Sequence, residues 1–148
     1  MRWRLILVLA AGLLLTACGP TAEVLYYWGG ESSGVTAYEK AAYRSSAKQS
    51  PESLCAMVAL YEKMVTHPGG WRKVPPPGIC AEYAFLLSQP ETATIFAENA
   101  SSKQKTSLSF DISATAFQER SRELFEMEMQ YYPESITFIR PLAAKLFK

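Results

Sequence analysis

The sequence predicts an all-α fold, and three observations lead there. Apolar residues return at helical spacing over residues 54–64 and 117–132. Helix-start chemistry at Ser50-Pro51-Glu52-Ser53 is answered by stops at His67-Pro68-Gly69-Gly70, Pro90 and Pro133. Few segments alternate polar and apolar residues as a half-buried strand does. The expectation is about five helices behind an N-terminal tether.

Arg2 and Arg4 precede an apolar run from Leu5 to Leu15, followed by Thr16, Ala17 and Cys18. Positive charge stays on the cytoplasmic side, the apolar run enters the membrane, and small residues fit the peptidase. The run falls short of the roughly 20 residues that span a bilayer. Residues 1–17 therefore read as a lipoprotein signal peptide. Cys18 is the lipidation site, with diacylglycerol on its thiol and a further acyl chain, palmitate in kind, on its amine. A single chain anchors marginally, so this chemistry makes a stable anchor. Gly19, rather than an aspartate, follows Cys18, which favours the outer membrane with the protein facing the periplasm.

Residues 18–34 form the tether. It carries an aromatic cluster, Leu25-Tyr26-Tyr27-Trp28, before Gly29-Gly30, then turn chemistry at Glu31-Ser32-Ser33-Gly34. Three uses of Tyr26, Tyr27 and Trp28 stay open: a staple packed over the first helices, a hot spot for a partner, or insertion of Trp28 at the membrane interface.

The helical domain occupies residues 35–148. A first helix is expected from Val35 to Ser46, with a modest apolar side of Tyr38, Ala41, Ala42 and Tyr43. The second follows Ser50 and ends near Thr66, its stripe being Leu54, Met57, Val58, Tyr61 and Met64. The connector Trp71-Arg72-Lys73-Val74-Pro75-Pro76-Pro77 is locked extended by its prolines. It reads either as a rigid linker or, with Trp71 and two cations, as a contact surface. A third helix, from Gly78 or Ile79 to Ser88, is apolar almost all round and so central. Residues 90–112 read as an irregular insertion, with a helical turn or short strand at Thr92–Phe96 and an exposed loop from Asn99 to Ser109. The fourth helix runs from Ser113 to Tyr132 with Phe117, Ser121, Leu124, Phe125, Glu128 and Tyr132 on one face. A fifth carries Phe138, Ile139, Leu142 and Leu146, with Pro141 limiting or kinking it.

At 148 residues this is one domain. Loss of Arg2 and Arg4 with the leader takes the net charge from +1 to −1, which implies no basic face and no nucleic-acid partner. In an oxidising periplasm Cys55 and Cys80 form a candidate disulfide. Its closure would add about 3 kcal/mol. The other reading is two buried free thiols, because in a short hairpin Cys80 faces the far end of the second helix from Cys55. His67 is the single histidine and reads as a helix-end cap. Neither a triad nor zinc-ligand spacing is present, so no catalytic residue, metal or cofactor is expected. Glu119, Glu123, Glu126 and Glu128, interleaved with Arg120 and Arg122, read as a solvated, salt-bridged face. Glu128 stands apart, expected to be partly buried against a tyrosine or a backbone donor.

Ala56, Leu60 and Pro68 repeat their spacing in Ser121, Phe125 and Pro133. Small, large and Pro at these offsets mark the second helix of tetratricopeptide repeats. The first-helix signature is nearly absent, so the expectation is a divergent pair of hairpins, against any antiparallel helical bundle. Three further pieces carry a family resemblance. They are Leu25-Tyr26-Tyr27-Trp28-Gly29, then Val74-Pro75-Pro76-Pro77-Gly78 with Ala81, and Phe125-Glu126-Met127-Glu128 leading to Tyr132-Pro133-Glu134-Ser135 and Phe138. In this order the chain resembles the bacterial lipoproteins grouped as domain of unknown function 4810. It departs from them at Glu31, where an aromatic is expected, and at residues 90–112, which the family's pattern lacks.

The resemblance implies a periplasmic, tetratricopeptide-like lipoprotein whose gene neighbours include a lipoprotein similar to the curli secretion pore. It brings no catalytic residue. The function expected is a non-catalytic interaction subunit of an envelope complex, with Tyr26, Tyr27, Trp28 and Trp71 as partner-binding candidates. The alternatives are a pilotin-like assembly factor for an outer-membrane pore and a cell-wall enzyme, which would need Glu128 or His67 to act nearly alone.

Overall fold

The computed structural model describes residues 24–148; the signal peptide expected over residues 1–17 and the expected lipidation site Cys18 lie outside the described residues. A minimal antiparallel ladder, β1 (Glu31–Ser32) with β2 (Val35–Thr36), opens it. The turn between them puts Ser33 at φ 59° and Gly34 at φ 74°, the left-handed pair that a two-residue hairpin requires. The helices are α1 (Ala37–Lys48), α2 (Pro51–Thr66), α3 (Ile79–Ser88), α4 (Thr92–Asn99), α5 (Ser102–Thr106), α6 (Ala114–Tyr131) and α7 (Ile136–Leu146). A 3-10 turn, Pro133–Ser135, separates α6 from α7. The class is all-α: 66% of the structure is helical.

Local chemistry sets the helix starts. Thr36 accepts from the Glu39 backbone N–H and the Glu39 carboxylate accepts from Thr36, a reciprocal cap on α1. Ser50 and Ser53 do the same for α2 with Pro51 in the first turn, and Ser113 caps α6. The core lies between α2, α3 and α6, where Val58, Met64, Tyr83, Leu87, Phe117, Leu124 and Phe125 are fully buried. Among these, α3 and α6 pack most extensively. Phe85 of α3 is nonetheless exposed, so that helix is covered on one broad side rather than all round. In keeping with its modest pattern, α1 buries no side chain completely. Pro141 lies inside α7 without ending it.

The expected irregular insertion is corrected. Residues 92–106 form two helices, α4 and α5, which raises the expected five to seven. Ala93, Phe96 and Ala100 recur at i, i+3 and i+7 and all are buried; the Phe96 ring lies 5.9 Å from that of Phe117. One of the serines that suggested a loop, Ser101, is a helix cap. Ser101 accepts from the Gln104 N–H while Gln104 accepts from Ser101, and Lys105 Nζ donates to the Ala97 carbonyl at 2.6 Å.

The disulfide is not formed: Cys55 and Cys80 are free, buried thiols. Cys55 looks from α2 toward α4, its sulfur 4.0 Å from the Ile95 carbonyl. Cys80 sits on α3 in the field of Glu128. Burial, reinforced by that charge, pushes the Cys80 thiol up to about 12. The repeated small–large–Pro spacing is met by two different packings. Ser121 is buried and donates to the Ala84 carbonyl at 2.6 Å, whereas Ala56 is exposed.

Candidate interaction surface

The glycines that stop α2 also seat the tether. Trp71 N–H donates to the Val24 carbonyl at 3.1 Å and Arg72 N–H to the Leu25 carbonyl at 3.2 Å, so residues 24–25 run beside residues 71–72. Gly70 adopts φ +74°, and a Cβ there would meet the Leu25 oxygen at 2.8 Å. Gly69 lies under Tyr27, whose Cβ a side chain would meet at 3.1 Å. The far end of the connector is pinned by the Tyr132 hydroxyl, which donates to the Pro75 carbonyl at 2.6 Å. Pro75 and Pro76 are buried.

The four candidate partner residues divide. Tyr26, Tyr27 and Trp28 are half-buried and packed. The Tyr26 ring lies 6.5 Å from the Tyr132 ring, with the Arg72 guanidinium 5.8 Å away. Tyr27 has the Lys63 ammonium 5.6 Å from its centroid. Trp28 packs 5.3 Å from Tyr38 and against the core. This is the arrangement of the staple. Trp71 points outward at 70% exposure among the described residues. It borders a shallow depression of about 680 Å³ lined also by Val24, Gly70 and Lys73.

Three glutamates join separate elements. Glu62, fully buried on α2, accepts from the Ser109 hydroxyl and backbone N–H and faces Arg120 of α6, whose Nη2 is 3.3 Å from Oε1. Glu82 of α3 accepts on one oxygen from Tyr38 at 2.7 Å and Tyr61 at 2.8 Å, uniting α1, α2 and α3. Burial first, then Glu82, pushes Tyr38 up to about 12, and the same two causes raise Tyr61 further. Glu128 accepts from the backbone N–H groups of Gly78 at 2.8 Å and Ala81 at 3.3 Å. Gly78 offers α3 no side-chain cap, so a carboxylate from α6 supplies one. Burial holds Glu128 above the usual carboxylate range, against the opposing pull of those N–H groups.

The expected solvated face on α6 is corrected in part. Arg120 turns inward to Glu62 while its Nη1 holds exposed Glu123 at 3.1 Å. Arg122 lies 4.6 Å over the Phe147 ring instead of pairing with a carboxylate. His67 places Nδ1 2.9 Å from the Thr66 hydroxyl; its backbone N–H, not its ring, meets a helix-end carbonyl, that of Lys63. The residue missed from sequence is Glu62. It lies within the buried stripe Val58, Tyr61 and Val65, and a lone acid inside a buried stripe was the available signal. Among the described residues no group of three or more His, Cys, Asp or Glu side chains is placed to hold a metal. No helix among them is long and apolar enough to cross a membrane.

No family model matches the chain, and comparison with curated proteins and with solved structures likewise yields no match.

Proposed function

We propose that this chain is a lipid-anchored, non-catalytic interaction subunit of a bacterial envelope complex. It is attached through Cys18 to the periplasmic face of the outer membrane. The anchor is read from the Leu15-Thr16-Ala17-Cys18 motif behind its apolar run. One observation supports the non-catalytic role: Glu62, Glu82 and Glu128 are each engaged in joining helices or connectors. Carboxylates held this way are parts of the frame, and function falls to the surface. That surface presents rings suited to a partner, Phe138 at 79% and Tyr43 at 76% exposure. By the resemblance drawn from the sequence, the partner is a lipoprotein similar to the curli secretion pore.

The test is cross-linking of living cells carrying a C-terminally tagged full chain, gentle solubilisation and mass spectrometry of what co-purifies. A single dominant envelope protein is expected, its recovery reduced in F138E at unchanged helical content. Recovery of nothing above background overturns the proposal.

A further inference from the structure

We infer that the corner made by Val24, Leu25, Trp71, Arg72 and Lys73 rests on the bilayer, with Trp71 among the phospholipid headgroups and the cations toward their phosphates. The inference rests on the lipid anchor at Cys18 proposed above.

Its first support is reach. Fully extended, the chain from Cys18 to Val24 spans at most about 20 Å. The Val24 carbonyl accepts directly from the Trp71 N–H. Trp71 is therefore one hydrogen bond from the point at which the anchoring segment joins the body. That length bounds the distance between this corner and the headgroup layer.

The second support is chemistry. Trp71 is joined at this corner by Val24, 62% exposed, and Leu25, 49% exposed. Residues 24–30 and 63–77 include Lys63, Arg72 and Lys73 and contain no Asp or Glu. Tryptophan is enriched at the membrane–water interface, and juxtamembrane Lys and Arg are drawn to anionic lipid. Exposed apolar side chains with a cationic fringe beside an acyl anchor match a headgroup layer containing phosphatidylglycerol.

The third is rigidity. The bonds to residues 24 and 25, the left-handed Gly70 and the clamp of Tyr132 on Pro75 fix the connector, so little freedom is lost when Trp71 settles. A protein partner could also cover a tryptophan, but the short link to the anchor keeps this corner within about 20 Å of the membrane and so favours lipid.

The full mature lipidated protein is reconstituted into phosphatidylethanolamine–phosphatidylglycerol vesicles with brominated acyl chains, and tryptophan emission is followed in wild type and W71F. Trp28 and Trp71 are the tryptophans of the mature chain, and W71F leaves the packed one. Quenching of roughly half the wild-type emission, absent in W71F and weaker when phosphatidylcholine replaces phosphatidylglycerol, is the expected result. Mass spectrometry of the Cys18 peptide from the same sample separates the two ideas. A lipidated Cys18 with equal quenching in both proteins overturns the corner and leaves the anchor standing. An unmodified Cys18 overturns both. Shielding of Trp71 in native membranes but not in vesicles assigns the corner to a protein and overturns contact with lipid.

Discussion

Arg120→Met isolates the most exposed risk in the interior. Glu62 is fully buried, and its partners are the Ser109 hydroxyl and backbone N–H and the Arg120 guanidinium. Methionine keeps much of the arginine's apolar stem and removes its charge. Ser109, with the Tyr83 hydroxyl nearby, then faces a desolvated carboxylate. Breaking a buried pair from one side costs about 3–5 kcal/mol, because the remaining charge is uncompensated. For a domain of this size that is a fall in Tm on the order of 10–20 °C. The pair's long N–O separations of 3.3 and 3.4 Å argue for the lower end. The decisive arm is E62L/R120M, which removes both charges. Replacing a buried pair with apolar groups of similar volume is often neutral or stabilising, so the double variant is expected to recover most of the loss. A double-mutant cycle by urea denaturation then gives a coupling above roughly 1 kcal/mol. Were R120M to unfold within about 0.5 kcal/mol of wild type at neutral pH, the argument from desolvation would be wrong.

The other predictions concern single joints. Glu128 is held above its ordinary value of 4.5 by burial, so the folded state is favoured by its protonated form. That contribution is complete below the unfolded value and lost as pH rises through the folded one. The stability of wild type minus that of E128Q therefore falls as pH rises above about 4.5, which melts at stepped pH will show; a rise reverses the sign and refutes the assignment. Tyr83 is fully buried, and its hydroxyl lies near the Glu62 carboxylate but makes no hydrogen bond of good geometry among the described residues. Tyr83→Phe is expected to leave stability unchanged or raise it by about 1 kcal/mol; a loss beyond that reveals a partner for the hydroxyl. Gly70→Ala forces a Cβ to 2.8 Å from the Leu25 oxygen at positive φ. It should cost about 1–3 kcal/mol and free the tether, seen as faster limited proteolysis between Val24 and Trp28. Trp71→Ala is expected to change unfolding stability by less than about 0.5 kcal/mol in urea melts of the protein free of membrane, since Trp71 is largely exposed; a large loss of stability means it packs after all.

Helices with a dense one-sided stripe were legible in the sequence, because burial and spacing carry the same information there. Met57, Val58, Tyr61 and Met64 placed α2, and Phe117, Leu124 and Phe125 placed α6; both sets are buried. Residues 92–106 were not legible for a different reason: each helix is short, and α5 has no buried residue at all, so periodicity had little to register. Serine added to the difficulty, since the same hydroxyl that marks a turn also caps a helix, and only the Ser101–Gln104 pairing decides between them. Charge misled on α6 through position. Arg120 lies one step from Ser121 on the inner face, so its long side chain reaches inward to Glu62 while Glu119, Glu123 and Glu126 stay exposed. The aromatic tether shows where sequence reasoning stops. Tyr26, Tyr27, Trp28 and Trp71 are alike in chemistry, and nothing local separates them. What separates them is a contact between residues distant in sequence, the Gly69-Gly70 stop against Val24–Tyr27. It draws the first three rings onto the body and turns the fourth outward beside Val24. The same glycines that end a helix thus decide which ring is structural and which is left for a surface, and substituting them tests both roles at once.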